Sequence, residues 1–200
     1  MGTSIKQVTE FFDEHDLKYM VDEKRDAVLI GFGIDPERSS YRDEEGEPFI
    51  RLVVRVLEGG EFLVLFAPNA WNIDDCVYKA AVCEALVSIQ MQYKMLRFDY
   101  DVNDGEIRPN IELPLEDSTL TSRQFHRLIH GMLHGVGRFD RVIRRAMETG
   151  EVSFDDLEDE EQPTAPPDDT ARLENLAERA GGIDELEKLL GGDGFEADAA

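Results

Sequence analysis

The sequence predicts an α+β fold: an antiparallel sheet with helices in the order α-β-β-β-α-β-β-α, followed by an acidic C-terminal tail. Three observations predict it. From Phe125 to Met147 apolar residues keep a helical period for more than six turns. Ahead of that, apolar runs such as "AVLIGFGI" and "FLVLFAP" are strand-sized. Gly59-Gly60 and Asp104-Gly105 sit between such runs, where tight antiparallel turns require positive φ.

The first element is a helix over residues 3–17. Ile5, Val8, Phe11, Phe12 and His15 share helical spacing, and Thr3 or Ser4 can cap the N-terminus. Strands follow at 27–34, 47–57 and 62–68. The first of these is nearly all apolar, as a strand buried on both faces requires. A charged fourteen-residue loop, 35–48, separates it from the second. Asn72, with Asp75 three positions on, is expected to cap a helix to about Tyr93, and Trp71 to anchor its start. The buried stripe of that helix reads as Ile73, Val77, Ala80, Ala81, Leu86 and Ile89. A hairpin over 96–113 comes next, and Thr121 caps the long last helix, which runs to about Thr149.

The hairpin contains "DYDVNDGE", which looks like a calcium loop. With Asp99 at position 1, Asp101 and Asn103 fall at 3 and 5, but position 6 is Asp104 and position 12 is Asn110. The required glycine and closing glutamate are both missing. A two-residue Asp104-Gly105 turn explains more: it places Tyr100 opposite Pro109, Phe98 opposite Ile111 and Asp101 opposite Arg108.

Three parts are expected: a folded domain over 1–149, an acidic linker over 150–170 and a tail over 171–200. Acidic residues number 44 against 21 basic ones, for a net charge of −23, and residues 149–200 carry −14 of it. That balance disfavours nucleic acid, whose binding draws on cationic surface. No apolar run has the length of a membrane span, and the N-terminal residues carry no apolar signal core. Cys76 and Cys83 are expected as buried reduced thiols, too far apart along one helix to bridge. A cytoplasmic location follows as the expectation. In the tail, Leu173, Leu176, Ala177, Ile183, Leu186 and Leu190 mark two short amphipathic pieces around Gly181-Gly182. Pieces this short need a docking surface, so the tail reads as a tethered docking segment.

An aromatic-bearing strand (Phe98), the Asp104-Gly105 hairpin, the step Leu113-Pro114-Leu115, the Leu120-Thr121 cap and Gln124-Phe125 follow one another in order. With the element order, they make residues 3–148 resemble the YbjN family, whose members share the fold of type III secretion chaperones. The resemblance implies a small, dimeric, non-enzymatic binding protein without a cofactor, and it transfers no catalytic residue.

The residues offer one constellation for chemistry. His126, His130 and His134 stand four apart on the last helix, a spacing that can grip a metal. A catalytic zinc also needs a third ligand and an open position, and Arg127 stands where a metalloprotease helix has its glutamate. The wheel turns these rings sideways and outward, as a polar helix flank. Gly131, Gly135 and Gly137 on the same helix suit either close packing on its own sheet or a helix–helix approach between two copies. No nucleophile elbow, phosphate-binding loop or dinucleotide fingerprint is present. The sequence therefore reads as a chaperone- or adaptor-like module that binds another polypeptide, as a homodimer, with no catalytic, cofactor or metal residue assigned. The alternatives are a metal-binding protein using the histidine stripe, or an enzyme with no recognisable motif.

Overall fold

Ser4, not Thr3, opens the first helix in the computed structural model, which describes residues 2–34 and 39–157. Its side chain accepts the Gln7 N–H at 3.2 Å, and helix α1 (Ile5–Asp13) buries Val8, Phe11 and Phe12. Strand β1 (Tyr19–Asp22) follows, an element the sequence does not announce. Four residues, with Tyr19 and Met20 half-buried, Val21 exposed and Asp22 buried, carry too little period to be read. β2 (Ala27–Gly33), β3 (Phe49–Leu57) and β4 (Phe62–Phe66) lie where the apolar runs place them.

The next segment departs from expectation. Trp71 and Asn72 form a two-residue strand, β5 (Trp71–Asn72), against Ile107 and Glu106. Asn72 caps no helix: its Oδ1 accepts the Asp74 N–H and its Nδ2 donates to the Asp104 carbonyl. Helix α2 begins later, at Lys79–Gln92, and buries Val82, Ala85, Leu86 and Ile89. This later start changes the phase, so Val77 and Ala80 are exposed instead of buried. Cys76 precedes the helix, and both thiols are free and half-buried.

β6 (Arg97–Tyr100) and β7 (Glu106–Pro114) form the expected hairpin with a longer turn. Tyr100 pairs with Ile107 and Phe98 with Pro109, two residues from the register of a two-residue turn. A shift of two keeps every side chain on its face. The charged cross-strand neighbours are therefore Asp99 and Arg108, 4.0 Å apart, and not Asp101 and Arg108. Gly105 has φ +80°. Asp101 and Asp104 each accept a backbone N–H within the turn, from Asn103 and Glu106, which is where the calcium-like spacing of acids is engaged.

Thr121 starts helix α3 (Ser122–Thr149) with a full capping box: it accepts the Gln124 N–H while Gln124 Oε1 accepts the Thr121 N–H. Gly150, at φ +76°, ends it. The antiparallel sheet runs β1-β2-β3-β4-β7-β5, with β6 also paired to β7. The three α-helices among the described residues lie on one face, where Val28, Ile30, Leu52, Val54, Leu63 and Leu65 join α3's Phe125, Met132 and Val136 in the main core. After α3, Val152, Phe154 and Leu157 pack back onto this core. The rest of the expected linker and the whole tail, 171–200, lie outside the described residues. Among the described residues no helix is long and apolar enough to cross a membrane.

Candidate functional site

The histidine stripe does not form one surface. His126 is buried, its ring edge-on to His15 of the segment after α1, with centroids 4.5 Å apart. His134 stacks on Tyr93 beyond the end of α2, and the Tyr93 hydroxyl lies 3.1 Å from His134 Nδ1. His130 lies between them, half-buried. The flank expected to face outward is filled on one side by α1 and on the other by the end of α2. Among the described residues no group of three or more His, Cys, Asp or Glu is placed to hold a metal ion.

The glycines of α3 are explained within one chain. A Cβ on Gly135 would sit 2.7 Å from Leu96 Cδ2 and 3.1 Å from the Tyr93 ring. Gly131 faces Met95 and Ile111. Of the two readings open in the sequence, close intramolecular packing accounts for Gly135.

A buried acid is the strongest polar feature. Asp140 on α3 is fully buried. Its carboxylate accepts from Trp71 Nε1 at 2.9 Å, Ser40 Oγ at 2.6 Å and Arg144 Nε at 3.0 Å. Arg144 also donates to the Arg42 carbonyl, and Ser39 Oγ to the Gly137 carbonyl. The second part of the charged loop is thus strapped along α3. Tyr41, buried edge-on against Trp71, has its phenol pushed well above its ordinary value by burial and then by the Asp140 charge. A carboxylate with its acceptors filled and a phenol held neutral are structural partners. The sequence conceals this group because the loop and the helix lie 100 positions apart.

Two exposed surfaces remain. α2 is apolar on both sides: outward it presents Val87, 66% exposed, and Met91, 90% exposed, with Val77, 87% exposed, just before its first turn. The steps from Ala80 to Val87 and Met91 follow one helical flank, on which Glu84 is also exposed. Buried stripe and exposed stripe together erase the one-sided pattern by which a surface helix is recognised. On α3, Arg123, Arg127, Arg138, Arg141 and Arg145, with His130 and His134 between them, fall within about 80° of one another on the helix wheel. The net charge of the chain hides this local cationic stripe, although its steps of three and four are legible once the helix is fixed.

The class the fold defines is α+β, a seven-stranded antiparallel sheet with three helices on one face. No protein-family model matches the chain, and no curated protein matches it by sequence. Solved structures similar to it include YbjN from E. coli, at 10% identity over 71% of this chain and 90% of that one, with a TM-score of 0.49. The ExsC–ExsE complex matches at 16% identity over 70% of this chain and 92% of that one, with a TM-score of 0.47. The HopA1–SchA chaperone–effector complex matches at 12% identity over 64% and 84%, with a TM-score of 0.42.

Proposed function

We propose that the protein is a non-enzymatic, chaperone- or adaptor-like module that binds another polypeptide through the outer face of α2. The observation that carries this reading is the exposure of Val87 and Met91 on a helix whose opposite face is already buried, with Val77 exposed just before it. Exposed apolar surface at helical spacing costs solubility and suits an amphipathic partner segment. A cytoplasmic setting belongs to the same reading, supported by the two free thiols.

A photo-crosslinking residue placed at Met91 in the full chain tests it in cells. A discrete adduct with one polypeptide, lost when Val87→Asp is added, is the expected result. Crosslinking that ignores Val87→Asp would show that this face does not select the partner. A homodimer across the same helix is the second reading, favoured by the exposed apolar Val87–Met91 pair, beside which Glu84 is also exposed. Light scattering on the full chain reads it directly, and a monomer at tens of micromolar removes it.

A further inference from the structure

Across the sheet, on the face turned away from the helices, Met20 lies opposite Leu29, Leu29 opposite Val53 and Val53 opposite Phe66. These residues form a second apolar cluster, separate from the main core. Ala27, Leu29 and Val53 are 0% exposed and Phe66 5%. The three helices pack on the opposite face, so the described helices do not account for this burial. An antiparallel sheet with one solvated face alternates apolar and polar residues. β2 instead buries its first six residues regardless of face.

The rim of this face carries charges that are mostly paired: Arg97 with Glu112, Arg108 with Asp99 and Arg25 with Asp22. Arg108 lies over the Phe66 ring at 5.0 Å. Arg51 is paired with Asp43 and Glu45. Arg55, opposite Ala27 and Val64 on the same face, has its Nε buried without a hydrogen-bond partner. An apolar floor with the buried Arg55 Nε beside it fits an occupant with an apolar stripe that also brings a carboxylate.

We infer that residues 173–190 of the same chain cover this face. Leu173, Leu176, Ile183, Leu186 and Leu190 supply the stripe, and Glu174, Glu178, Asp184, Glu185 and Glu187 flank it. The buried Arg55 Nε favours this occupant, because residues 158–200 carry 14 acids and 3 bases. The chain reaches. Its last described residue, Leu157, accepts from Arg138 Nη2 on α3, and fifteen residues separate it from Leu173. Fifteen residues extend to at most about 50 Å, against about 30 Å across a sheet whose strands lie about 4.8 Å apart, so the chain can pass round its edge. Tethering holds the segment at millimolar effective concentration, so a modest affinity keeps it docked. The surface is distinct from the outer face of α2, and this inference does not rest on the function proposed above.

The test uses the full chain with methyl-labelled Ile, Leu and Val. Nuclear Overhauser contacts from Leu29 and Val53 methyls to Leu176 and Leu186 methyls are the expected result. Their absence, with random-coil shifts over 173–190, overturns the inference. If in a mixed labelled and unlabelled sample the contacts run only between molecules, the occupant is a second copy and the inference is overturned equally. As a second readout, Leu176→Asp with Leu186→Asp should raise the fluorescence of a hydrophobic dye several-fold, while Val87→Asp should not. Equal dye binding by wild type and the double variant counts against the segment.

Discussion

Trp71 Nε1 donates to Asp140 Oδ1 at 2.9 Å inside the protein, joining the short strand β5 to the middle of α3 across 69 positions of sequence. Ser40 and Arg144 complete the set. Asp140→Ala strands an indole N–H, a hydroxyl and a guanidinium together, and removing one partner from such a group costs about 3 kcal/mol or more. Denaturant melts should show that loss. Because Trp71 is the sole tryptophan, its emission should also change in the folded state. A variant with wild-type stability would mean that the carboxylate is dispensable.

Gly105 needs its lack of a side chain twice over. Its φ is +80°, and a Cβ would sit 2.3 Å from the Asp74 N atom and 2.6 Å from Asp74 Cα. The Asp74 backbone, unlike the end of a flexible side chain, has little room to relax. Gly105→Val should therefore cost more than the roughly 1 kcal/mol that conformation alone carries. Millimolar Ca²⁺ should leave the melting temperature of the wild type unchanged, since Asp101 and Asp104 already accept backbone N–H groups.

The parts legible in the sequence are those with long, one-sided periods. α3 shows its core stripe and its Thr121 cap because its other faces are polar, and β2 to β4 are continuous apolar runs. β1 and β5 are too short to carry a period. α2 was placed early because Asn72 and Asp75 mimic a cap, while the exposed Val77 and Val87 blur the true phase. At the candidate site, the periodicity puts Val77 and Ala80 in a buried stripe and singles out neither Val87 nor Met91, all four of which are exposed. Which flank of a doubly apolar helix faces water depends on α3 and the sheet. The Asp140 group depended on a long-range contact that local pattern cannot encode. The helix wheel turns the histidines sideways and outward, whereas His15 and Tyr93 close over that flank and His126 is buried, contacts that local pattern does not encode.

Asp22 gives a pH signature. Burial pushes its carboxyl up, but the Arg25 guanidinium at 2.8 Å and the Lys24 N–H outweigh burial and hold it below its ordinary value. A carboxyl depressed in the folded state binds fewer protons there than in the unfolded chain. Its stabilisation is complete above the unfolded value near 4 and is lost as pH falls through the folded one. Asp22→Asn should cost about 1 kcal/mol at pH 7, since Arg25 is partly exposed. The gap to wild type should close on acidification below pH 4, as followed by chemical denaturation at each pH. A gap that widens in acid would reverse the assigned sign.

The segment after α3 contributes to the core before the chain leaves it. Val152, Phe154 and Leu157 pack against the main cluster, and Arg138 donates to the Leu157 carbonyl. A chain ending at Leu157 should keep a cooperative melt. Ending it at Gly150 removes these three side chains and should lower stability by a further 2–4 kcal/mol or so, by the usual cost of losing buried apolar groups. Equal midpoints for the two truncations would show that the packing after Gly150 is energetically idle.

Two neighbours on α2 should behave in opposite ways. Ile89 is fully buried and Met91 is 90% exposed. Ile89→Ala opens a cavity between α2 and the rest of the core and should cost about 2–4 kcal/mol. Met91→Gln and Val87→Ser replace apolar atoms that meet water, and each should lie within about 0.5 kcal/mol of wild type. If the exposed face exists for a partner, these two substitutions will weaken partner capture without touching the melt, whereas Ile89→Ala will affect both together. The comparison separates a docking surface from a packing defect, because only a docking surface lets binding fall while stability stays. A large stability loss from Met91→Gln would instead place Met91 inside a contact of the folded chain, and the outer face of α2 would lose its claim to be the site.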